Sequence, residues 1–175
     1  MLKQAHKSFE NALELEPNDE TSLVFLANTQ CLLNDLEMAE LNARNALMMS
    51  PNRVDIYQLL SEIAIRKNDY QGAYEYANKA IQLSPKDLQS NIILARSLSA
   101  LGRHNEALVK LNNMLPSFPD SRLLHLERVN ILQKINGARA GVDELQKLVN
   151  SYPEDFSILN ALAKSYIELG ETENA

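Results

Sequence analysis

Asn68-Asp69-Tyr70-Gln71-Gly72-Ala73-Tyr74-Glu75-Tyr76-Ala77-Asn78-Lys79-Ala80-Ile81-Gln82-Leu83-Ser84-Pro85 is the stretch whose reading decides the architecture. A turn residue opens it. Ala73, Ala77 and Ala80 then recur at i, i+4 and i+7, one side of a helix. Ser84-Pro85 closes it, because proline lacks the backbone N–H and disfavours helix in the residue before it. These landmarks return every 34 residues: Pro17, Pro51, Pro85, Pro119 and Pro153 keep that step, as do Asn34, Asn68, Gly102, Asn136 and Gly170. A fixed period of this length marks a stacked-repeat protein.

The residues before Asn68 supply the other half of the unit. In residues 54–67, Tyr57, Leu60, Ser61 and Ala64 fall at i, i+3, i+4 and i+7 of a second helical face. Gly and Asn tolerate the left-handed conformation that ends a helix, so position 68 and its equivalents are expected to turn the chain. Each unit therefore reads as a hairpin of a helix A and a helix B. The alanine stripe lets the two axes approach to about 8–10 Å.

This pattern resembles the tetratricopeptide repeat, with Tyr57, Leu60, Ser61, Ala64, Ala73, Ala77, Ala80 and Pro85 in its signature places. One unit earlier stand Leu23, Leu26, Ala27, Gln30, Ala39, Ala43, Ala46 and Pro51; one unit later stand Asn91, Leu94, Ala95, Leu98, Ala107, Leu111, Met114 and Pro119. The resemblance covers the whole chain. It implies an all-α, right-handed superhelical solenoid of antiparallel helix pairs. Residues 1–175 are read as a single repeat domain: a second helix over 1–19, complete repeats over 20–53, 54–87, 88–121 and 122–155, and a first helix in 156–175. Gly170 to Ala175 would begin a further second helix. Neither end shows a polar cap, so the chain is expected to be part of a longer array whose open ends fray or engage another copy.

The fourth unit departs. His125 and Arg128 occupy places where apolar residues belong, and Gly141 replaces the small alanine of helix B. Two packings follow. Either Arg128 threads past Gly141 toward Asp143, Glu144 or solvent, or helix A rotates so that Leu124, Val129 and Leu132 face the core.

In the tetratricopeptide family, helix A lines an inner groove. At about 100° per residue the positions opposite the core stripe can be read off. They give the expected peptide-binding residues: Val24, Asn28, Gln58, Glu62, Ile65, Ile92, Arg96, Leu126, Asn130, Lys134, Asn160 and Lys164. Cys31, Arg66 and Ile167 share that stripe. Apolar side chains mixed with amides and charges suit an extended peptide or amphipathic helix. Family members that hold a chaperone's C-terminal carboxylate use a Lys/Asn clamp. Its places here are Val24, Asn28, Leu59, Gln89 and Ile93, of which only Asn28 matches, so that ligand is not expected.

Composition narrows the rest. At 45% hydrophobic and 23% charged residues the chain is neither disordered nor membrane-like. No apolar run is long enough to span a bilayer. Net charge is −6 and the pI about 5.1, which disfavours nucleic acid. Residues 1–51 hold 8 acidic against 3 basic groups. Cys31 stands alone, which favours a reducing compartment such as the cytoplasm and leaves the periplasm open. His6, His104 and His125 show no metal-ligand spacing, and no catalytic or phosphate-binding motif is present. The expectation is a non-catalytic protein–protein scaffold without cofactor or metal. The alternatives are the recognition arm of a multidomain enzyme such as a glycosyltransferase, weakened because Asn28, Asn130 and Asn160 form no continuous ladder, or a structural part of a bacterial envelope export or pilus-assembly system.

Overall fold

The computed structural model describes residues 1–171; Thr172 to Ala175, where the sequence suggests a further second helix, lie outside the described residues. The described residues form an all-α repeat fold of the solenoid class, with ten helices and no strand. The helix A series is α2 (Glu20–Leu32), α4 (Val54–Arg66), α6 (Leu88–Ala100), α8 (Arg122–Asn136) and α10 (Phe156–Glu168). The helix B series is α1 (Leu2–Leu15), α3 (Leu36–Met49), α5 (Tyr70–Leu83), α7 (His104–Met114) and α9 (Arg139–Ser151).

Local chemistry sets these boundaries. Asp19, Ser121 and Asp155 precede α2, α8 and α10, and their side chains accept from the orphan backbone N–H groups of the first turn. Asp87 does the same for α6 by accepting from the N–H of Ser90 at 2.7 Å. Asn34 and Asn68 turn the chain at φ 67° and 61°, and Gly102 and Gly170 at 78° and 75°. The fourth turn differs from expectation. It falls on Gly137, at φ 79° and ψ 176°, and not on Asn136. Helix α8 is consequently 15 residues long where the other helices A have 13. The extra length pushes the turn into a backbone region that suits only glycine.

The chain divides into two compact units, Met1–Ser97 and Leu98–Ala175. Neighbour-only packing explains how a repeat array can divide in this way. In the first unit, Leu23, Ala27, Ile56, Leu60 and Ile63 pack with Ala39, Ala43 and Ala46. Ala73, Ala77 and Ala80 of α5 are fully buried too. In the second unit, Val129, Leu145, Leu148 and Ile158 form the core, with Leu126 and Leu162 packed against it.

Polar ties recur with the period. Tyr57 Oη donates to the Pro51 carbonyl at 3.1 Å, Asn91 Nδ2 to the Pro85 carbonyl at 3.1 Å, and His125 Nε2 lies 2.8 Å from the Pro119 carbonyl. The place where the repeat pattern asks for an apolar residue is thus one whose tip pins the preceding loop. Histidine fills it as well as tyrosine does.

Candidate functional site

In the first unit, α2, α4 and α6 border a cleft of about 400 Å³. Five of the expected groove residues, Val24, Asn28, Gln58, Glu62 and Arg96, line it together. Phe25, Leu32, Leu59 and Ile93 give it an apolar floor, and Gln89 adds a second exposed amide. All five places of the family's carboxylate clamp, Val24, Asn28, Leu59, Gln89 and Ile93, are among the lining residues, carrying here no lysine and one asparagine.

Several polar groups of the cleft already have partners. Gln58 Nε2 donates to Asp87 Oδ2 at 2.7 Å and to Ser90 Oγ at 2.8 Å, which ties α4 to the start of α6. Arg66 Nη1 donates to the Cys31 carbonyl at 2.6 Å, capping the last turn of α2 from the next repeat. Glu62 and Arg96 lie 3.7 Å apart. Burial pushes the Cys31 thiol up, so it acts as a small packing residue and not as a thiolate. Asn28 is exposed and aims at the cleft.

The angular reading errs at Ile92. Its side chain is fully buried and offers no surface to a ligand. Helix α6 is buried around most of its circumference, Ser90 to Ala95 and Ser97 to Ser99, so angle alone does not predict exposure there. Its neighbour Ile93 reaches the cleft instead. Phe25, Leu59 and Ile93 form a ladder at the 34-residue step, a signal the angular reading passes over. Ile65 is half-buried. In the second unit, Leu126 packs on the core; Asn130, Lys134, Asn160 and Lys164 are exposed, and Lys134 Nζ donates to Ser99 Oγ at 3.2 Å.

A second hollow, of about 540 Å³, surrounds the irregular residues of the fourth repeat. Arg128 reaches Glu144 Oε1 at 2.5 Å and Asn112 Oδ1 at 2.8 Å. His125 Nδ1 lies 3.0 Å from the same Glu144 oxygen. Arg128 therefore finds Glu144, but Gly141 does not make room for it. A Cβ on Gly141 would stand 2.7 Å from Val129 Cγ1 and 2.8 Å from Gln133 Nε2. Leu124 and Val129 are buried and Leu132 is half-buried, so the rotated packing and the charged contact coexist.

Hairpins repeated every 34 residues, with alanine stripes between their helices, meet the solved structures on these terms. A thermophilic TPR protein in Thermus thermophilus superposes with a TM-score of 0.84 at 19% identity, covering 95% of this chain and 91% of that one. The chain has the tetratricopeptide-repeat fold. A tetratricopeptide repeat protein from Parabacteroides merdae ATCC 43184 gives a TM-score of 0.79 at 16% identity, over 97% of this repeat protein and 68% of that chain. YrrB, described as a TPR protein with an unusual peptide-binding site, gives 0.66 at 17% identity, over 97% and 88%. The family model for anaphase-promoting complex, cyclosome, subunit 3 matches residues 33–114, just under half of the repeat protein. No curated protein matches it in sequence.

Proposed function

We propose that the repeat protein is a non-catalytic scaffold that holds an extended peptide or protein segment in the cleft of its first unit. The observation that carries this reading is the meeting of Val24, Phe25, Leu59 and Ile93 with the exposed amides of Asn28 and Gln89 along one cleft. Apolar side chains of a ligand would seat on the former, while Asn28 and Gln89 would bond its backbone. The internally bonded Gln58 and Arg66 hold the walls. In the second unit, the exposed Asn130, Lys134, Asn160 and Lys164 are proposed as peptide contacts of that unit by itself. A phage-displayed library of random peptides, selected on the repeat protein, tests the reading. Selected peptides should bind about tenfold more weakly to the Asn28→Ala/Gln89→Ala variant. Peptides that bind the variant equally well would remove the cleft as their site.

A further inference from the structure

The cleft of the first unit differs from wall to wall. On α2, Phe25 is 49% and Leu32 50% exposed. Phe25 stacks on Phe9 of α1, with ring centroids 5.4 Å apart and planes 15° from parallel, so its ring is held in place with its remaining surface open. Leu32 is apolar where folding does not ask for it. Its copies at the 34-residue step are Arg66, Ala100, Lys134 and Glu168, three of them charged. On α6, Ile93 is buried and the exposed group is the amide of Gln89. The cleft therefore runs from an apolar wall on α2 to a polar one on α6.

Its charges cancel. Two acids, Asp55 and Glu62, line it with two bases, Arg66 and Arg96. Each is already engaged: Asp55 Oδ1 accepts from Arg53 Nε at 3.0 Å, Glu62 lies 3.7 Å from Arg96, and Arg66 donates to the Cys31 carbonyl. A ligand with a net charge, or one ending in the cleft with a free carboxylate or amine, would give up water there with no counter-charge to replace it, which is costly. The amides of Asn28 and Gln89 both donate and accept. A ligand helix bonds its backbone groups internally and would leave these amides idle, whereas an extended backbone has groups to offer them.

We infer that the cleft takes an internal, uncharged, extended segment of another protein, anchored by one large apolar side chain on Phe25 and Leu32 of α2. The inference rests on the cleft reading proposed above and names the class of ligand. A fixed aromatic platform is where the binding energy of an interface concentrates, and an aromatic ring of the ligand would meet Phe25 edge-on or offset. Amide or hydroxyl side chains of the ligand would lie toward α6.

The test selects two libraries of random nonapeptides on the repeat protein, one ending in a free carboxylate and one closed at both ends within a loop of a display scaffold. Ligands of the cleft are those that bind at least about tenfold more weakly to Asn28→Ala/Gln89→Ala. They should come from the closed library, carry no net charge and share one large apolar residue. Phe25→Ser/Leu32→Ser should weaken them at least about tenfold. Leu32→Ser alone, at a place whose copies tolerate charge, leaves the Phe9–Phe25 stack intact and should weaken them about threefold. Cleft ligands that are charged, that need the free carboxylate, that turn helical on binding, or that bind both serine variants as well as the wild type would overturn the inference and leave the cleft as the site. A dimer of the unliganded protein that Leu32→Ser abolishes would overturn it too, because a second copy would then own the cleft. If no selected peptide responds to Asn28→Ala/Gln89→Ala, the cleft reading itself fails and takes this inference with it.

Discussion

The second and fourth repeats solve the same packing problem in different ways. In the second, Ala73, Ala77 and Ala80 are fully buried against helix A, and Ser61 Oγ donates to the Ala73 carbonyl at 2.7 Å across the pair. Asn68 turns the chain and Asp69 caps α5 through the N–H of Gly72. The fourth repeat has Gly141, Leu145 and Leu148 on its helix B, a longer α8, a turn that only glycine accommodates, and no side-chain cap at Ala138. It adds the group His125, Arg128 and Glu144. A repeat can thus exchange small-residue packing for a polar cluster, provided one glycine absorbs the altered helix phase.

The comparison breaks hardest at the alanine stripe. Ala77→Glu would put a carboxylate with no partner into a fully buried, close-packed site. Overpacking and an unpaired charge together should cost about 3–5 kcal/mol, read as a fall in the urea midpoint. An unchanged midpoint would mean that α5 does not pack on α4 through this stripe.

A pair of glycines measures the next difference. Gly141→Ala brings a Cβ within 2.7 Å of Val129 Cγ1 in the core, and the surroundings must yield at a cost of about 1–3 kcal/mol. Gly72→Ala meets only the flexible carboxylate of Asp69. What it loses in capping, about 1 kcal/mol, is largely offset by the similar gain in helix propensity. Denaturation of both variants should separate them clearly. Equal losses would show that the fourth repeat is no tighter at its glycine than the second.

These contrasts also mark what the sequence makes legible. The period, the hairpins and the alanine stripes follow from residue type and spacing alone, because a helix end needs Gly or Asn and a close crossing needs small side chains. The cleft is legible in part. Angle places Val24, Asn28, Glu62 and Arg96 on one face, and the structure gathers them into one cleft. It fails at Ile92, because phase gives direction and not burial, and α6 is covered on nearly every side. The position of Gly137 is hidden for a related reason. Asn136 satisfies the same turn rule, and the choice between them depends on how far α8 must run to pack Leu124 and Val129.

The polar cluster gives a smaller contrast. Arg128 and Glu144 are about four-fifths buried, and among the described residues Arg128→Met leaves Glu144 with His125 as its partner. The expected loss is roughly 1–2 kcal/mol. Lys67, the corresponding tie of the regular region, links exposed Glu37 and half-buried Glu40, and Lys67→Met should be far milder. A double-mutant cycle with Glu144→Gln should return a coupling for Arg128. No coupling would reduce the cluster to adjacent, independent side chains.

The smallest effect lies in acid. The hydrogen bond from Lys67, followed by that from Arg44, holds the Glu40 carboxyl below its ordinary value of 4.5, against the opposing effect of burial. A carboxyl depressed in the folded state stabilises the fold fully above its unfolded value, and that contribution disappears as pH falls through the lower, folded value. Glu40→Gln removes the group from this balance. Between neutral pH and about pH 5 the variant should be slightly less stable than the wild type, and the gap should close as the pH falls past 4.5 and below. Urea midpoints taken across that range, at low salt, would show the two curves converge. Parallel curves would mean that Glu40 is bonded as firmly in the unfolded chain, and that the regular repeats, unlike the fourth, draw no stability from their charges.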